Sequence, residues 1–174
     1  MSEIERIGLS RAKARFRAEL PASFREVVDN ADRVVVYALG WVRGKRQTTF
    51  HGYRVRGRAL IQSRREIVNL ARVMHDSIAT PVGPMACYAP HHALSFVRGE
   101  KRVDLLVCFL CVQMYAQMGG EYVWCNIDRS ALPALNAALR QAGIVPYELP
   151  QGLSGYRRRS PGTGARRVLL PVSR

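Results

Sequence analysis

Apolar and polar residues form two strand patterns in the first third of the chain. Residues 34–42 are mostly β-branched, aromatic or small, and polar residues precede and follow them, which predicts a buried strand. After a basic turn, residues 51–61 alternate and predict a second strand, paired with the first as a hairpin with one face in water. The alternation places Tyr53, Val55, Ala59 and Ile61 on one face and Arg54, Arg56 and Arg58 on the other.

A helix is predicted directly after this hairpin. Ser63 and Glu66 have the spacing of a capping box, in which each side chain accepts a hydrogen bond from the other residue's free backbone amide. Two prolines and a glycine in residues 80–84 end the pattern, because they cannot continue a helix. The face expected to pack on the sheet contains Ile67, Leu70, Ala71, Met74 and Ile78.

The second half of the chain contains three further strand patterns and one helix. The strands are predicted at residues 93–97, 103–109 and 122–125. The helix is predicted from about residue 130 to 142, with Gly143 as its C-terminal cap. The order β-β-α-β-β-β-α predicts an α+β fold, with a single small domain, a mainly antiparallel sheet and two packed helices.

Composition divides the chain into three regions. We expect residues 1–28 to be a basic N-terminal arm or helix and residues 29–150 to be the α+β domain. Residues 151–174 are rich in Gly, Ser, Pro and Arg without an apolar period, so we expect a basic tail that is disordered until it meets a partner. No apolar run approaches the roughly 18 residues that span a bilayer, and no signal segment is evident, so a cytoplasmic location without membrane contact is expected.

Charge adds to this division of the chain because the excess of basic residues is concentrated in two segments. The 174 residues contain 27 Lys and Arg against 13 Asp and Glu, a net charge of +14. Residues 41–72 contain nine basic side chains and one acidic, and residues 151–174 contain six basic and none acidic, so these two segments account for the whole excess. The apolar content of 48% excludes a wholly disordered basic protein.

Arginine supplies nearly all of the positive charge, and its planar guanidinium group pairs bidentately with phosphate. This bias favours nucleic acid or another polyanion as the partner, although a solvated surface would look the same. The candidate nucleic-acid-binding residues are Arg43, Lys45, Arg46, Arg54, Arg56, Arg58, Arg64, Arg65, Arg157, Arg158, Arg159, Arg166 and Arg167.

Cysteine and histidine residues are concentrated between residues 87 and 111. Cys87 and His91 lie in a Cys-x3-His motif, and Cys108 and Cys111 form a Cys-x-x-Cys motif. If the two segments pair as neighbouring strands, these four residues would form a Cys3His set, with His92 as an alternative ligand. Thiolates and neutral imidazoles are the ligands that zinc prefers, so a zinc site is one interpretation.

Three other interpretations of the same residues remain open. The Cys-x-x-Cys pair could be a redox couple, although it is not at a helix N-terminus, where a thiolate is stabilised. A cysteine could act as a nucleophile with His91 or His92 as its base. The cysteines could also be small buried core residues, as we expect for Cys125.

The motif Cys-Tyr-x-Pro-His-His, followed by a hairpin and Cys-Phe-x-Cys, resembles a group of small uncharacterised bacterial proteins. Members of that group carry Cys-(Phe/Tyr)-x-Pro-(Arg/His)-His and then Cys-Phe-x-Cys. The resemblance covers about residues 50–145 and does not include the basic tail. It implies a shared fold and site, and no known activity.

Three hypotheses about function follow. The leading one is a non-enzymatic nucleic-acid or polyanion-binding protein with a structural cluster of cysteine and histidine residues. The second is a thiol- or metal-dependent enzyme or redox protein that uses Cys87, His91, Cys108 and Cys111. The third is a protein that docks on an acidic protein partner or assembles with itself.

Overall fold

The computed structural model describes residues 1–12, 14–40, 48–85 and 87–150. Within these ranges the chain forms one α+β domain with four helices and nine strands. The helices are α1 (Glu3–Ala12), α2 (Ala22–Asp29), α3 (Arg64–Ser77) and α4 (Leu132–Gln141). The strands are β1 (Phe16–Arg17), β2 (Arg33–Gly40), β3 (Thr49–Phe50), β4 (Tyr53–Ile61), β5 (Ile78–Ala79), β6 (His92–Arg98), β7 (Lys101–Cys108), β8 (Gln113–Met118) and β9 (Glu121–Ile127).

All nine strands belong to one sheet, in the order β1-β9-β8-β7-β6-β2-β4-β3, and β5 pairs with β9. Strands β6 to β9 form an antiparallel meander, and β2 lies between β4 and β6 with antiparallel pairing on both sides. The pairing of β1 with β9 is parallel. The mainly antiparallel α+β domain predicted from the sequence is therefore confirmed.

The larger core lies between one face of the sheet and helices α2, α3 and α4. Phe24, Val27 and Val28 recur at helical spacing on α2, so that helix buries one apolar stripe. Helix α3 buries Ile67, Leu70, Ala71 and Met74, as its spacing predicts. Full burial of a Val, Leu, Ile, Phe or Met side chain contributes roughly 1.5–3 kcal/mol of transfer free energy.

The opposite face of the sheet is covered by α1 and by the segment before β6. Ile7 of α1 and Trp124 of β9 are buried in this second, smaller core. The indole Nε1 of Trp124 donates a hydrogen bond to Ser10 Oγ at 3.2 Å, which holds α1 to β9. Tyr88 also packs there, and its hydroxyl donates to the Leu106 carbonyl at 2.8 Å.

His51 attaches α1 to the sheet by an ionic contact. Its Nδ1 lies 2.8 Å from a carboxylate oxygen of Glu3, and its Nε2 lies 2.9 Å from one of Asp104. Asp104 is buried and also contacts Ser95 and the Arg102 guanidinium. Burial lowers the pKa of His51, but hydrogen bonds and charge from Asp104 and Glu3 outweigh it and raise the pKa overall.

Several predicted elements are correct, and others were missed. The strands predicted near residues 34, 51, 93, 103 and 122 all exist, and so do both predicted helices. The sequence reading missed β8, α1 as a defined helix, α2 and the short strands β1, β3 and β5. The two predicted packed helices are α3 and α4, and the described residues also contain α1 and α2.

Three further predictions concern the ends of elements and the ends of the chain. Ser63 is the N-cap of α3, but its side chain makes no capping hydrogen bond, so the predicted capping box does not form. Residues 1–28 hold α1, β1 and most of α2, and they pack against the sheet. The predicted tail, residues 151–174, lies outside the described residues. Among the described residues, no helix is long and apolar enough to cross a membrane.

Candidate functional site

Three of the four cysteines meet on the α1 side of the sheet. Cys108 is the last residue of β7, and Cys111 lies in the turn that follows it. Side chains alternate along β7, so Cys108 projects from the same face as Leu106, toward the smaller core. Cys87 comes from the segment before β6 and is exposed, whereas Cys108 and Cys111 are buried.

The three sulfur atoms are close enough to interact directly. The Sγ atoms of Cys87 and Cys111 are 2.8 Å apart, and none of the cysteines forms a disulfide. The backbone N–H of Cys111 donates to Cys108 Sγ at 3.1 Å. The thiol cluster, as we call Cys87, Cys108 and Cys111, therefore connects the protein surface to a buried sulfur.

Hydrogen bonding gives the three thiols different acidities. The Cys111 thiol donates to Cys108, which lowers the pKa of Cys108; burial opposes this, and backbone donors at Ala89 and Cys111 assist it. The same bond raises the pKa of Cys111 far above its ordinary value, with burial adding to the effect. The hydrogen bond to Cys111, together with burial, raises the pKa of Cys87. Cys108 is therefore the first of the three to lose its proton.

Unpartnered polar groups surround the thiol cluster. Gln113 pairs directly with Cys108 across β7 and β8, so both side chains project from the same face. Gln113 is fully buried, and within the described ranges its amide oxygen and nitrogen have no hydrogen-bond partner. Nε and Nη1 of Arg11 are also buried without a partner there, and the charge of Arg11 lowers the pKa of Cys87 against the larger raising effects.

Asn126 anchors the start of the segment that leads to Cys87, although the described residues of this segment form no helix or strand. Oδ1 of Asn126 accepts hydrogen bonds from the backbone N–H groups of Val82 and Gly83, at 2.7 and 3.1 Å. Its Nδ2 donates to the Gly83 carbonyl at 3.1 Å. Asn126 is fully buried in β9, so it fixes the start of the segment that leads to Cys87.

The predicted histidine ligands do not join the thiols. The His91 ring stacks on Tyr147 with the ring centroids 3.6 Å apart, and burial lowers its pKa. Nε2 of His92 lies 2.7 Å from Oδ1 of Asn136 on α4, on the opposite face of the sheet from the thiol cluster. Burial lowers the pKa of His92 to about 4, so His92 is a neutral core residue. His92 therefore lies away from the cysteines, and its use as an alternative ligand stays a prediction.

The residues of the predicted zinc site are thus only partly assembled. Cys87, Cys108 and Cys111 come together, whereas no contact in the described ranges joins His91 to a cysteine. No group of three or more His, Cys, Asp or Glu side chains in those ranges has an arrangement that could hold a metal ion. Zinc binding stays a prediction. Cys125 is fully buried in the larger core, as expected.

The three arginines of β4 do not share one face, because the strand contains a β-bulge. Gly57 pairs with Ala38 and Val55 pairs with Leu39, so the residue between them, Arg56, has no partner on β2. The extra residue reverses the alternation. Tyr53 and Val55 pack in the smaller core, while Ala59 and Ile61 pack in the larger one.

Two observations change the predicted arginine surface. Arg54 and Arg58 lie on opposite faces of the sheet, because their neighbours along the strand pack in different cores. Arg64 donates to the backbone carbonyls of Asp29 and Ala31, both at 3.3 Å, and so joins α3 to the end of α2. Arg65 is exposed on α3. The remaining candidates, Arg43, Lys45, Arg46, Arg157, Arg158, Arg159, Arg166 and Arg167, lie outside the described residues.

The sequence reading missed several residues of this region: Gln113, Asn126 and Arg11. A signal for Gln113 exists, because it lies two residues after Cys111 of the Cys-x-x-Cys motif. No such signal marks Asn126 or Arg11, whose roles depend on contacts with distant residues.

Comparisons with known proteins add no relative: no protein-family model, no curated protein and no solved structure matches the chain.

Proposed function

We propose that the protein is a thiol redox protein in which Cys87 and Cys111 pass reversibly between a dithiol and a disulfide. The observation that carries this proposal is the 2.8 Å separation between an exposed and a buried sulfur atom. A disulfide bond is about 2.05 Å long, so a small movement of the Cys87 segment would close it. The described residues of that segment form no helix or strand, and its hydrogen bonds to Asn126 lie four and five residues before Cys87.

Exchange with a small-molecule disulfide gives a balanced reaction. The Cys87 thiolate attacks one sulfur of the external disulfide, whose S–S bond breaks and releases one thiol. Cys111 then attacks the Cys87 sulfur of the mixed disulfide and releases the second thiol. The two protein thiols are oxidised by two electrons, the external disulfide is reduced, and the two protons end on the released thiols.

The third cysteine is the most acidic thiol of the cluster, because hydrogen bonds lower the pKa of Cys108. Cys108 is therefore a weaker base than Cys87, whose pKa is raised, and it does not take the proton of Cys87. Cys87 is exposed, so it loses its proton to solvent before it attacks. A thiolate is the reactive form, and its fraction limits the exchange rate. In a reducing compartment such as the cytoplasm the pair would rest as the dithiol.

The test is a redox titration of the full chain in mixtures of reduced and oxidised glutathione, followed by alkylation and mass spectrometry. We expect two of the four cysteines to become resistant to alkylation together, and a cross-linked peptide joining Cys87 to Cys111. Cys87→Ser and Cys111→Ser should each abolish that cross-link. Cys125→Ser is the matched control, because Cys125 is buried in the larger core, and it should titrate as the unmodified protein does.

Two outcomes would contradict the proposal. One is that all four thiols of the folded protein remain alkylatable across the whole range of glutathione potentials. The other is that the purified protein contains zinc and its thiols react only after a chelator has removed the metal. That second result would support the zinc site predicted from the sequence.

A further inference from the structure

A groove with a volume of about 370 Å³ lies beside the bulge in β4. Tyr37 and Phe50 line it, and their rings stack with centroids 4.3 Å apart and an angle of 21° between the planes. Both rings pack against the edge of the smaller core and are half-buried, so part of each remains open to the groove. The groove therefore contains an accessible aromatic surface.

Two arginines line the same groove. Arg58 pairs with Tyr37 across β2 and β4, and Arg56 is the extra residue of the bulge. Both side chains are exposed, and within the described ranges neither has a carboxylate partner. Arg25 and Arg98, by contrast, pair with Glu19 and Glu26. The groove arginines are thus two uncompensated positive charges beside an aromatic surface.

Hydroxyl groups complete the polar part of the groove. Thr48 and Thr49 line it and are exposed, and among the described lining residues none is acidic. Guanidinium groups and hydroxyls are the usual side-chain partners of backbone phosphates. Aromatic rings stack on unpaired bases, whatever the base, because every base has a π-face.

We propose that this groove binds single-stranded nucleic acid, with a base against the Tyr37–Phe50 pair and phosphates at Arg56 and Arg58. A duplex keeps its bases stacked within the helix and has none free for the rings. An acidic peptide would supply negative charge but no planar base. The net charge of +14 would attract a polyanion to the molecule, and the groove would select the single strand.

The first experiment measures binding of fluorescent oligothymidylate and oligouridylate to the full chain by anisotropy, over a range of salt concentrations. In the double variant Arg56→Gln/Arg58→Gln, the slope of log K against log salt should fall by about 1.4, the value for two lost contacts to a single strand. Affinity at about 50 mM salt should fall about tenfold or more. Arg54→Gln is the matched control, because Arg54 is an exposed arginine of the same strand that does not line the groove, and it should change affinity little.

The second experiment separates stacking from charge. Phe50→Leu keeps an apolar side chain and removes the ring, and Tyr37→Leu does the same from another strand. Both should weaken oligonucleotide binding by about tenfold, while binding of heparin, a polyanion without bases, stays unchanged. Circular dichroism and thermal unfolding check that each variant is folded.

Three results would overturn this inference. The first is that Arg54→Gln weakens binding as much as the groove variant does, which would indicate charge without a site. The second is that neither ring replacement changes oligonucleotide binding, which would indicate a general polyanion surface. The third is that a duplex of the same length or an acidic peptide binds as tightly as the single strand, which would indicate a different partner.

Discussion

The three thiols of the cluster show how position alone distinguishes residues of one type. Cys108 accepts hydrogen bonds and has a lowered pKa, whereas Cys111 donates to it and has a raised one. Cys87 donates to Cys111 and also has a raised pKa, although it is exposed. The order of the hydrogen bonds, more than burial, therefore decides which of the three thiols is the most acidic.

His51 makes a prediction about pH that is independent of the thiols. Its folded-state pKa is raised above the ordinary 6.5, so its ionic bonds to Glu3 and Asp104 stabilise the protein fully below about pH 6.5 and are lost as the pH rises through the folded-state value. We expect His51→Gln to lower the free energy of unfolding by about 1–3 kcal/mol near pH 6, and by less near pH 8.5. Urea unfolding of both proteins at the two pH values measures this difference.

His75 provides the control for that experiment. Its ring lies 2.8 Å from Asp29 on the surface, and exposed pairs contribute about 0–1 kcal/mol. His75→Gln should therefore have a smaller effect at both pH values. A destabilisation by His51→Gln that grows toward alkaline pH would show that the imidazole is not held in its protonated form.

At the scale of elements, the alternation in residues 51–61 predicted that β4 exists but not where its faces change. Alternation indicates a strand because successive side chains point to opposite faces, and the prediction of a strand was correct. The bulge at Arg56 is set by pairing with β2, and its local signal is Gly57, because an isolated glycine inside a strand pattern indicates a bulge. The alternation of the other residues gives no position for the change of face, which depends on both strands.

The grouping of the cysteines was predictable for a related reason. Residues 93–97 and 103–109 pair as neighbouring strands, as their apolar patterns predict, and this brings Cys87 near Cys111. The positions of His91 and His92 were not predictable. They depend on Tyr147 and Asn136, which lie far along the chain and whose packing is a property of the whole fold.

The anchor of the Cys87 segment gives a prediction at this scale. Asn126→Ala removes three hydrogen bonds to Val82 and Gly83, so the segment should sample more positions. We expect the equilibrium constant for forming the Cys87–Cys111 disulfide to fall by about tenfold, because the two sulfur atoms are in contact for less of the time. The glutathione titration described above measures this constant.

Asn69→Ala is the control for the anchor, because Asn69 is an exposed residue of α3. It should leave the disulfide equilibrium unchanged. An unaltered equilibrium in Asn126→Ala, with circular dichroism that confirms a folded protein, would mean that Asn126 does not position the thiols.

For the whole molecule, the sheet has a different cover on each face. Three helices cover one face, and α1 with the Cys87 segment covers the other. The thiol cluster lies under the thinner cover, beside Arg11 of α1. Access to the buried sulfur atoms should therefore depend on how firmly α1 is attached.

Substitutions at two positions of α1 distinguish the attachment of this helix to the sheet from a change in the helix itself. Ile7 is buried against the sheet, whereas Leu9 is exposed on the same helix. Ile7→Asp should loosen α1, shift the emission of Trp124 to longer wavelength, and speed the alkylation of Cys108 and Cys111 by about tenfold. Leu9→Asp should change none of these. A Trp41→Phe background leaves Trp124 as the single tryptophan. Equal effects of the two variants would show that α1 does not shield the thiols.

The parallel pairing of β1 with β9 has a consequence for synthesis on the ribosome. Phe16 pairs with Trp124, more than a hundred residues later in the chain. At about 5–20 residues per second, the N-terminal segment waits roughly 5–20 s for its partner strand to be made. Cys87 and Cys111 are both translated before Trp124, which holds α1 to the sheet. In each newly synthesised molecule these thiols therefore exist for a time before α1 can cover them. The nascent chain is then most exposed to oxidants.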